Sequence, residues 1–455
     1  MLLLEQSKQQ DADSMTPPRV QGPRHRFSTF SLVCLVIANM IGAGVYTSTG
    51  FALADLKRPW MVLAAWAVAG IISLLGAVCY GRLAQWLTVS GGEYLFLSRA
   101  VSPLVGFMAG WVSLTAGFSG AIAYSAITFN VYLTGNEQTP GFPAWLVPTL
   151  LIVLFGILHL LGMEVGTRFQ NLLVLVKLVA LVGFLAFAVF VLRDAGFENL
   201  AGEITTTAPQ QPPFSSLAFA TSVMWLSFSY AGYNAAIYVA GASMGASTVA
   251  RSMIIATVIV TVFYLLLNGV ILAAVPPDQL AGQPEVLRIA AQALGGGLVG
   301  KTVHFVILLS LATSVSAMLQ TGPHVYAQMA RDGFLPRFLA SEPTAPPRAA
   351  TILQIVLAIL LTIFVALQQL LDYLAFVLLI SSAATASILL LPQHRRGARW
   401  VIPLGFVVAS VITSILALRF RLQTDPRGLM LALAVLLLGF LAYALGALFR
   451  PPVRK

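Results

Sequence analysis

Two stretches decide how this chain folds. They are Ile41-Gly42-Ala43-Gly44, in the first apolar run, and Phe228-Ser229-Tyr230-Ala231-Gly232-Tyr233-Asn234, in the sixth. Both put glycine or polar side chains in the middle of runs, 27–54 and 204–250, that contain no Asp, Glu, Lys or Arg. Nothing charged is near enough to account for the interruption. What the runs are must be settled before what breaks them.

On either side of these two, further charge-free runs cover 59–81, 100–136, 138–163, 169–192 (interrupted by Lys177 alone), 252–277, 302–330, 349–371, 373–394, 400–418 and 428–449. Each is long enough to span a bilayer as a helix, whereas isolated strands would leave their backbone groups unpaired in hydrocarbon. Composition agrees. Of 455 residues 58% are hydrophobic and 9% charged, against about 25% charged in an ordinary globular chain. Twelve helices of about 20 residues need roughly 240 apolar positions, a number this chain supplies. The expected fold is an all-α polytopic membrane protein of twelve transmembrane helices without a separate soluble domain.

The formal charge of +10 does not indicate nucleic acid, because the basic residues sit singly between apolar runs rather than in patches interleaved with aromatics. Cys34 and Cys79 lie inside apolar runs, without CxxC or metal-ligand spacing, and read as buried small apolar residues. No cofactor or metal is expected. Residues 1–26 form a polar tail, expected to be disordered, and no cleavable signal peptide is visible ahead of the first apolar run. With twelve spans both termini share a face. That face carries 17 of the 26 Lys and Arg residues, the other face eight, and Lys177 lies within a span. The positive-inside rule places both termini in the cytoplasm of a cell-membrane protein, although Arg419, Arg421 and Arg427 fall on the outer side.

The two interruptions lie five spans apart. Broken helices at matching places in two halves are the pointer to an inverted-repeat transporter. The repeats would be 27–200 and 201–395, with helices 11 and 12 and a short tail in 396–455. Where a helix unwinds at mid-membrane, its backbone groups must find other partners. The N–H groups of Gly42, Ala43 and Gly44, opening the next half-helix, suit a carboxylate. Carbonyls around Ser229 and Ala231, closing the first half of span 6, suit an ammonium, so one zwitterion would satisfy both. The plainer alternative is that the glycines only allow close helix packing.

The same residues carry a resemblance. Ile41-Gly42-Ala43-Gly44-Val45-Tyr46 resembles the helix 1 signature of the amino acid–polyamine–organocation (APC) transporters. Ser90-Gly91-Gly92-Glu93-Tyr94 with Gly106-Phe107-Met108-Ala109-Gly110-Trp111 resembles their helix 2–3 region, and Met329-Ala330-Arg331-Asp332-Gly333-Phe334-Leu335-Pro336 the cytoplasmic end of helix 8. Together the motifs cover about 27–395. The resemblance implies a LeuT-type core of five plus five helices. It implies a substrate carboxylate on Gly42, Ala43 and Gly44, and an amine on main-chain carbonyls of Met40 or Ile41, Ser229 and Ala231. It also implies an aromatic cover at Phe228. Gly232 completes the expected substrate-binding set, and the breaks near Gly44 and Gly232 are the expected hinges.

Lys177 stands too far inside its span to reach either interface, so its ammonium must face the interior. Held away from water, such a group can release and reload a proton. The resemblance implies a built-in replacement for a sodium ion, bridging the helix 1 break to helix 8, where Thr313 and Ser314 would supply hydroxyls. The chain also departs from its relatives. Asn234 stands where many have an acid, Gly241-Ala242-Ser243-Met244-Gly245 lacks the usual acidic and proline residues, and His324 stands where a basic residue is common. On this reading Lys177 is the only Asp, Glu, Lys or Arg deep in the membrane, and no buried carboxylate awaits a second positive charge.

Other motifs lead nowhere. Gly241–Gly245 fits G-x-S-x-G but ends a transmembrane helix rather than sitting on a strand-to-helix turn. Gly295–Gly300 fits G-x-G-x-x-G but no strand precedes it. His159, His304 and His324 lie on separate spans. No enzyme is expected. The sequence points to a secondary transporter that moves a neutral amino acid by alternating access, proton-linked or exchange-driven, helices 1, 2, 6 and 7 rocking against 3, 4, 8 and 9. Its partners are a small-molecule amino acid and membrane lipid, with the oligomeric state open. The alternatives are a polyamine or cationic amino-acid exchanger, and a transporter-like sensor that binds without cycling.

Overall fold

The computed structural model describes residues 28–87, 92–135, 143–161, 167–195, 214–341, 347–394 and 397–448. The expected disordered tail, and Ser90 and Gly91 of the helix 2–3 motif, lie outside them. Among the described residues the regular structure is helical: α1 (Thr29–Met40), α2 (Ala43–Leu56), α3 (Pro59–Trp86), α4 (Glu93–Ala100), α5 (Pro103–Val112), a π-helical stretch (Ser113–Gly120) and α6 (Ala121–Thr134). Then come α7 (Leu146–Leu160), α8 (Thr167–Ala195), α9 (Ser216–Ser229), a 3-10 run (Ala235–Ala242), α10 (Ala246–Ala274) and α11 (Val286–Arg331). Last come α12 (Arg348–Phe364), α13 (Leu367–Ser387), α14 (Val401–Thr424) and α15 (Arg427–Leu448).

Local sequence sets the ends. The Ser28, Ser102 and Ser215 hydroxyls accept from the N–H groups of Ser31, Val105 and Ala218, and Pro59 and Pro103 begin helices where a missing N–H costs nothing. Among the described residues eight helical spans are long and apolar enough to cross a membrane, and the bent pair α1–α2 makes nine. α7, α9 and α12 are shorter apolar helices of 15, 14 and 17 residues.

The packing falls into two groups around a shared middle. α3 lies along α10, α2 along α9, and α1 against α10. Separately, α6 packs on α11 and α7 on α12. Interior tyrosines and tryptophans fill the first group: Trp66, Tyr230 and Tyr264 meet edge-on or tilted at ring separations of 5.0 to 5.7 Å. Outward-facing Leu, Val and Phe cover α8, and Leu, Met and Phe cover α15, the surface a lipid-facing helix needs.

The structure corrects two expectations. Cys79 is buried, but Cys34 is exposed on the outside of α1. Lys177 is not alone as a buried charge. Asp372, fully buried in α13, accepts from Trp225 Nε1 at 2.7 Å and pairs with Arg421 of α14 at 2.7 Å, whose guanidinium lies 5.6 Å over the Trp225 ring. Glu93 is buried as well. Counting charge-free runs along the sequence missed these groups, because α13 and α14 extend past their runs and α4 folds inward from a connection.

Candidate functional site

The first break is two residues wide. α1 ends at Met40, Ile41 and Gly42 are non-helical, and α2 resumes at Ala43 after a bend of 44°. Gly42 is extended and caps α2 without a side-chain hydrogen bond, so the first-turn N–H groups there have no side-chain acceptor. The second break is longer: α9 ends at Ser229, residues 230–234 turn, and the 3-10 run follows.

The two breaks share a cavity of about 240 Å³. Its wall includes Met40, Gly42, Ala43 and Gly44 from the first break and Phe228, Ser229, Ala231 and Gly232 from the second. Ile41 is buried beside it. Gly117, Phe118 and Ala121 supply the wall opposite, with Leu378 of α13. The cavity opens toward the face where α1 begins and α11 ends, since Asn39 and Thr321 at its rim are exposed. The other end is shut: Tyr46, Trp66 and Trp225 are fully buried, and Gly282 N–H donates to Gly50 O at 2.8 Å.

The two glycines of the first break serve different ends. A Cβ on Gly42 would meet nothing within 4 Å, so this backbone faces open space. A Cβ on Gly44 would lie 2.6 Å from Ser229 Oγ and 2.8 Å from Ser229 Cα, so Gly44 brings α2 against the end of α9. Close packing therefore accounts for Gly44, whereas at Gly42 the backbone is left facing the cavity. Phe228 is held edge-on to Tyr124 at 5.3 Å, and the Tyr124 hydroxyl meets Thr47 Oγ1 at 2.5 Å.

Two groups, Lys177 and Tyr264, act on the carbonyls at the breaks. Lys177 is 2% exposed, and its Nζ donates to Ile41 O at 2.8 Å. Tyr264, fully buried in α10, places one hydroxyl 2.7 Å from Met40 O and 3.1 Å from Ser229 O, joining the two breaks through a single proton. Thr313 and Ser314 donate to carbonyls of their own helix, including Ser310 O. Tyr264 escaped sequence reasoning, since nothing local separates it from the other tyrosines in apolar runs.

Glu93 escaped it too. It lines the cavity, 6% exposed, and accepts from Tyr80 Oη, from Asn234 Nδ2 at 3.3 Å and from Ser381 Oγ at 2.8 Å. The expectation that no buried carboxylate stands near the site is overturned. The acid absent at 234 is present at 93, and Asn234 bonds to it. Next to it, Tyr94 Oη donates to Asp332 Oδ2 at 2.8 Å, joining the helix 2–3 and helix 8 motifs across the face where the cavity opens. Ser243 donates to Ala240 O, with no histidine among its hydrogen-bond partners.

The helical bundle thus holds two interrupted helices that face one cavity. The solved structure of Mhp1, a nucleobase-cation-symport-1 family transporter, in a closed conformation with bromovinylhydantoin bound, shares this fold at a TM-score of 0.55. It is 15% identical, with 96% of this chain and 98% of that one covered. Family follows from sequence: the amino acid permease model matches residues 27–455, and the chain belongs to that family. Among its relatives, the large neutral amino acids transporter small subunit 2 of Rattus norvegicus is 25% identical over 424 residues, 90% of this chain and 79% of that one. The Asc-type amino acid transporter 1 of Homo sapiens is 26% identical over 323 residues, 68% of this chain and 60% of that one. The protein is a multi-pass membrane transporter for amino acids.

Proposed function

We propose that this permease carries a neutral amino acid across the cell membrane by alternating access, with both termini cytoplasmic. The observation that carries the reading is the meeting of two helix breaks at one cavity. The substrate carboxylate would sit on the uncapped N-terminus of α2, at Gly42, Ala43 and Gly44, where N–H groups and the helix dipole favour an anion. Its ammonium would bond the carbonyls of Met40, Ser229 and Ala231, each of the first two keeping a lone pair beyond the one Tyr264 uses. Phe118, Phe228 and Leu378 leave apolar wall for an uncharged side chain.

Eight apolar spans, the bent pair and three shorter apolar helices make twelve, in keeping with a repeat of five plus five and two additions. The pairings α2–α9, α3–α10, α6–α11 and α7–α12 each join spans five apart in that count, as an inverted repeat requires. The bundle of spans 1, 2, 6 and 7 would rock against 3, 4, 8 and 9, with bending at Gly44 and Gly232. Lys177 would hold the first break in place of a sodium ion, Thr313 and Ser314 lining the same region, and the cycle would run by proton linkage or exchange.

A cationic amino acid is the second reading, favoured by one observation, the Glu93 carboxylate on the cavity wall. Counterflow of radiolabelled amino acids in proteoliposomes tests both. Saturable counterflow of alanine, leucine or phenylalanine supports the first reading, and counterflow confined to lysine and arginine replaces it with the second. A screen of thermal shifts against the amino acids gives an independent ranking, because a ligand stabilises the folded form it binds.

A further inference from the structure

Glu93 takes part in neither end of the amino-acid site, yet its placement is costly. An ionised carboxylate removed from water is destabilising by several kcal/mol unless donors and a counter-charge offset it. Donors are present from three directions: Tyr80 on α3, Asn234 just beyond the second break and Ser381 on α13. The titratable side chains facing it are all neutral phenols: Tyr80, Tyr233 and Tyr238, with Cys79 behind Tyr233. Ser382 and Ser113 complete the polar surroundings. No Lys, Arg or His of the described residues forms an ion pair with it.

The missing positive charge must come through the cavity. Glu93 Oε1 already accepts two hydrogen bonds and Oε2 one, and only 6% of the residue is exposed. A side-chain ammonium needs several acceptors arranged around it and room to enter, whereas a proton needs one lone pair and no room. We propose that Glu93 is the proton-binding site of the transport cycle. It takes one proton from water on one face with each neutral amino acid, forming an O–H bond on the carboxylate, and returns it to water on the other face. The proposal rests on the neutral amino-acid reading above and names the ion it is coupled to. Protonation also alters the tie to Asn234, which loses a charged acceptor, so loading would loosen the segment after the second break. Lys177 acts elsewhere, being bonded to Ile41 O and absent from the cavity wall.

The test is accumulation of radiolabelled leucine and alanine in proteoliposomes with a pH difference of one unit, compared with each protein's own counterflow at equal pH. One proton per substrate sets a limit of about tenfold accumulation for one unit of pH. The wild-type protein is expected to approach that limit. E93Q, which keeps shape but cannot exchange a proton, is expected to show no accumulation, about onefold. E93D, which retains the acid, is expected to recover at least part of it, and this rescue separates proton binding from a packing role. Pyranine trapped in the wild-type vesicles should report proton entry on leucine addition even if E93Q fails to insert. Accumulation persisting in E93Q but lost in K177A, or wild-type counterflow without accumulation or proton entry, overturns the proposal while leaving the amino-acid reading intact. Absence of any neutral counterflow in the wild type overturns both.

Discussion

At the first break only Ile41 and Gly42 leave the helix, and the chain resumes after a bend of 44°. At the second, five residues turn and an eight-residue 3-10 run follows before regular helix returns. The short break is held at its carbonyl end by two buried donors, Lys177 and Tyr264. The long one is held by Gly232, with φ of +110°, wedged against Asn39, and by the bond from Asn234 to Glu93. The same loss of helical hydrogen bonds thus yields a fixed point in one place and a yielding segment in the other. Substitutions at the two should behave differently.

The largest effect is expected at Gly232. An alanine there would need a left-handed conformation and would put its Cβ 2.8 Å from Asn39 O. A strained backbone of this kind costs about 1–3 kcal/mol before the clash is counted. Gly232→Ala should lower the melting temperature in detergent and abolish counterflow; a stable, active variant would mean that the second break does not pass through this conformation. Next comes Lys177→Ala, which strands Ile41 O in the interior. An unsatisfied buried polar group costs about 1–3 kcal/mol, so counterflow should fall by about tenfold or more. Undiminished counterflow would remove Lys177 from the cycle.

Tyr264→Phe should have a smaller and more selective effect. Losing one hydroxyl shared by two carbonyls is worth about 1 kcal/mol, or about a fivefold rise in KM for an α-amino acid. The α-hydroxy analogue, which has no ammonium, should compete almost equally well in both proteins, and an equal loss for amino and hydroxy acids would make Tyr264 merely structural. The smallest effect on stability is expected for Gly42→Ala, whose Cβ meets open space: a change within about 0.5 kcal/mol. Gly44→Ala, 2.6 Å from Ser229 Oγ, should be visibly less stable. A reversal of that order would undo the distinction between cradle and packing glycine.

The breaks could be read from the chain because glycine and polar residues in the middle of a charge-free apolar run weaken the helix that must span there. Lys177 could be read because a lone ammonium in such a run must face inward. Gly42, Gly44, Phe228, Ser229 and Gly232 accordingly appear together around one cavity. Glu93 and Tyr264 could not be read in the same way. Glu93 sits in a connection, where an acid is unremarked, and only the inward fold of α4 carries it to the cavity wall. Tyr264 is one of 12 tyrosines, and its role depends on two carbonyls 224 and 35 residues away. Local pattern reports what a residue does to its own helix; it is silent on what a distant helix asks of it.

The pair between Asp372 and Arg421 bears on how small this protein can be made. Arg421 belongs to α14, beyond the ten helices of the proposed repeat, yet its guanidinium neutralises an aspartate in the interior and lies over the Trp225 ring. Cutting the chain after α13 would leave that aspartate bare in a dry interior, a defect of several kcal/mol. A shortened ten-helix version would need Asp372 replaced in the same step, which makes the last two helices part of the foundation rather than an annex.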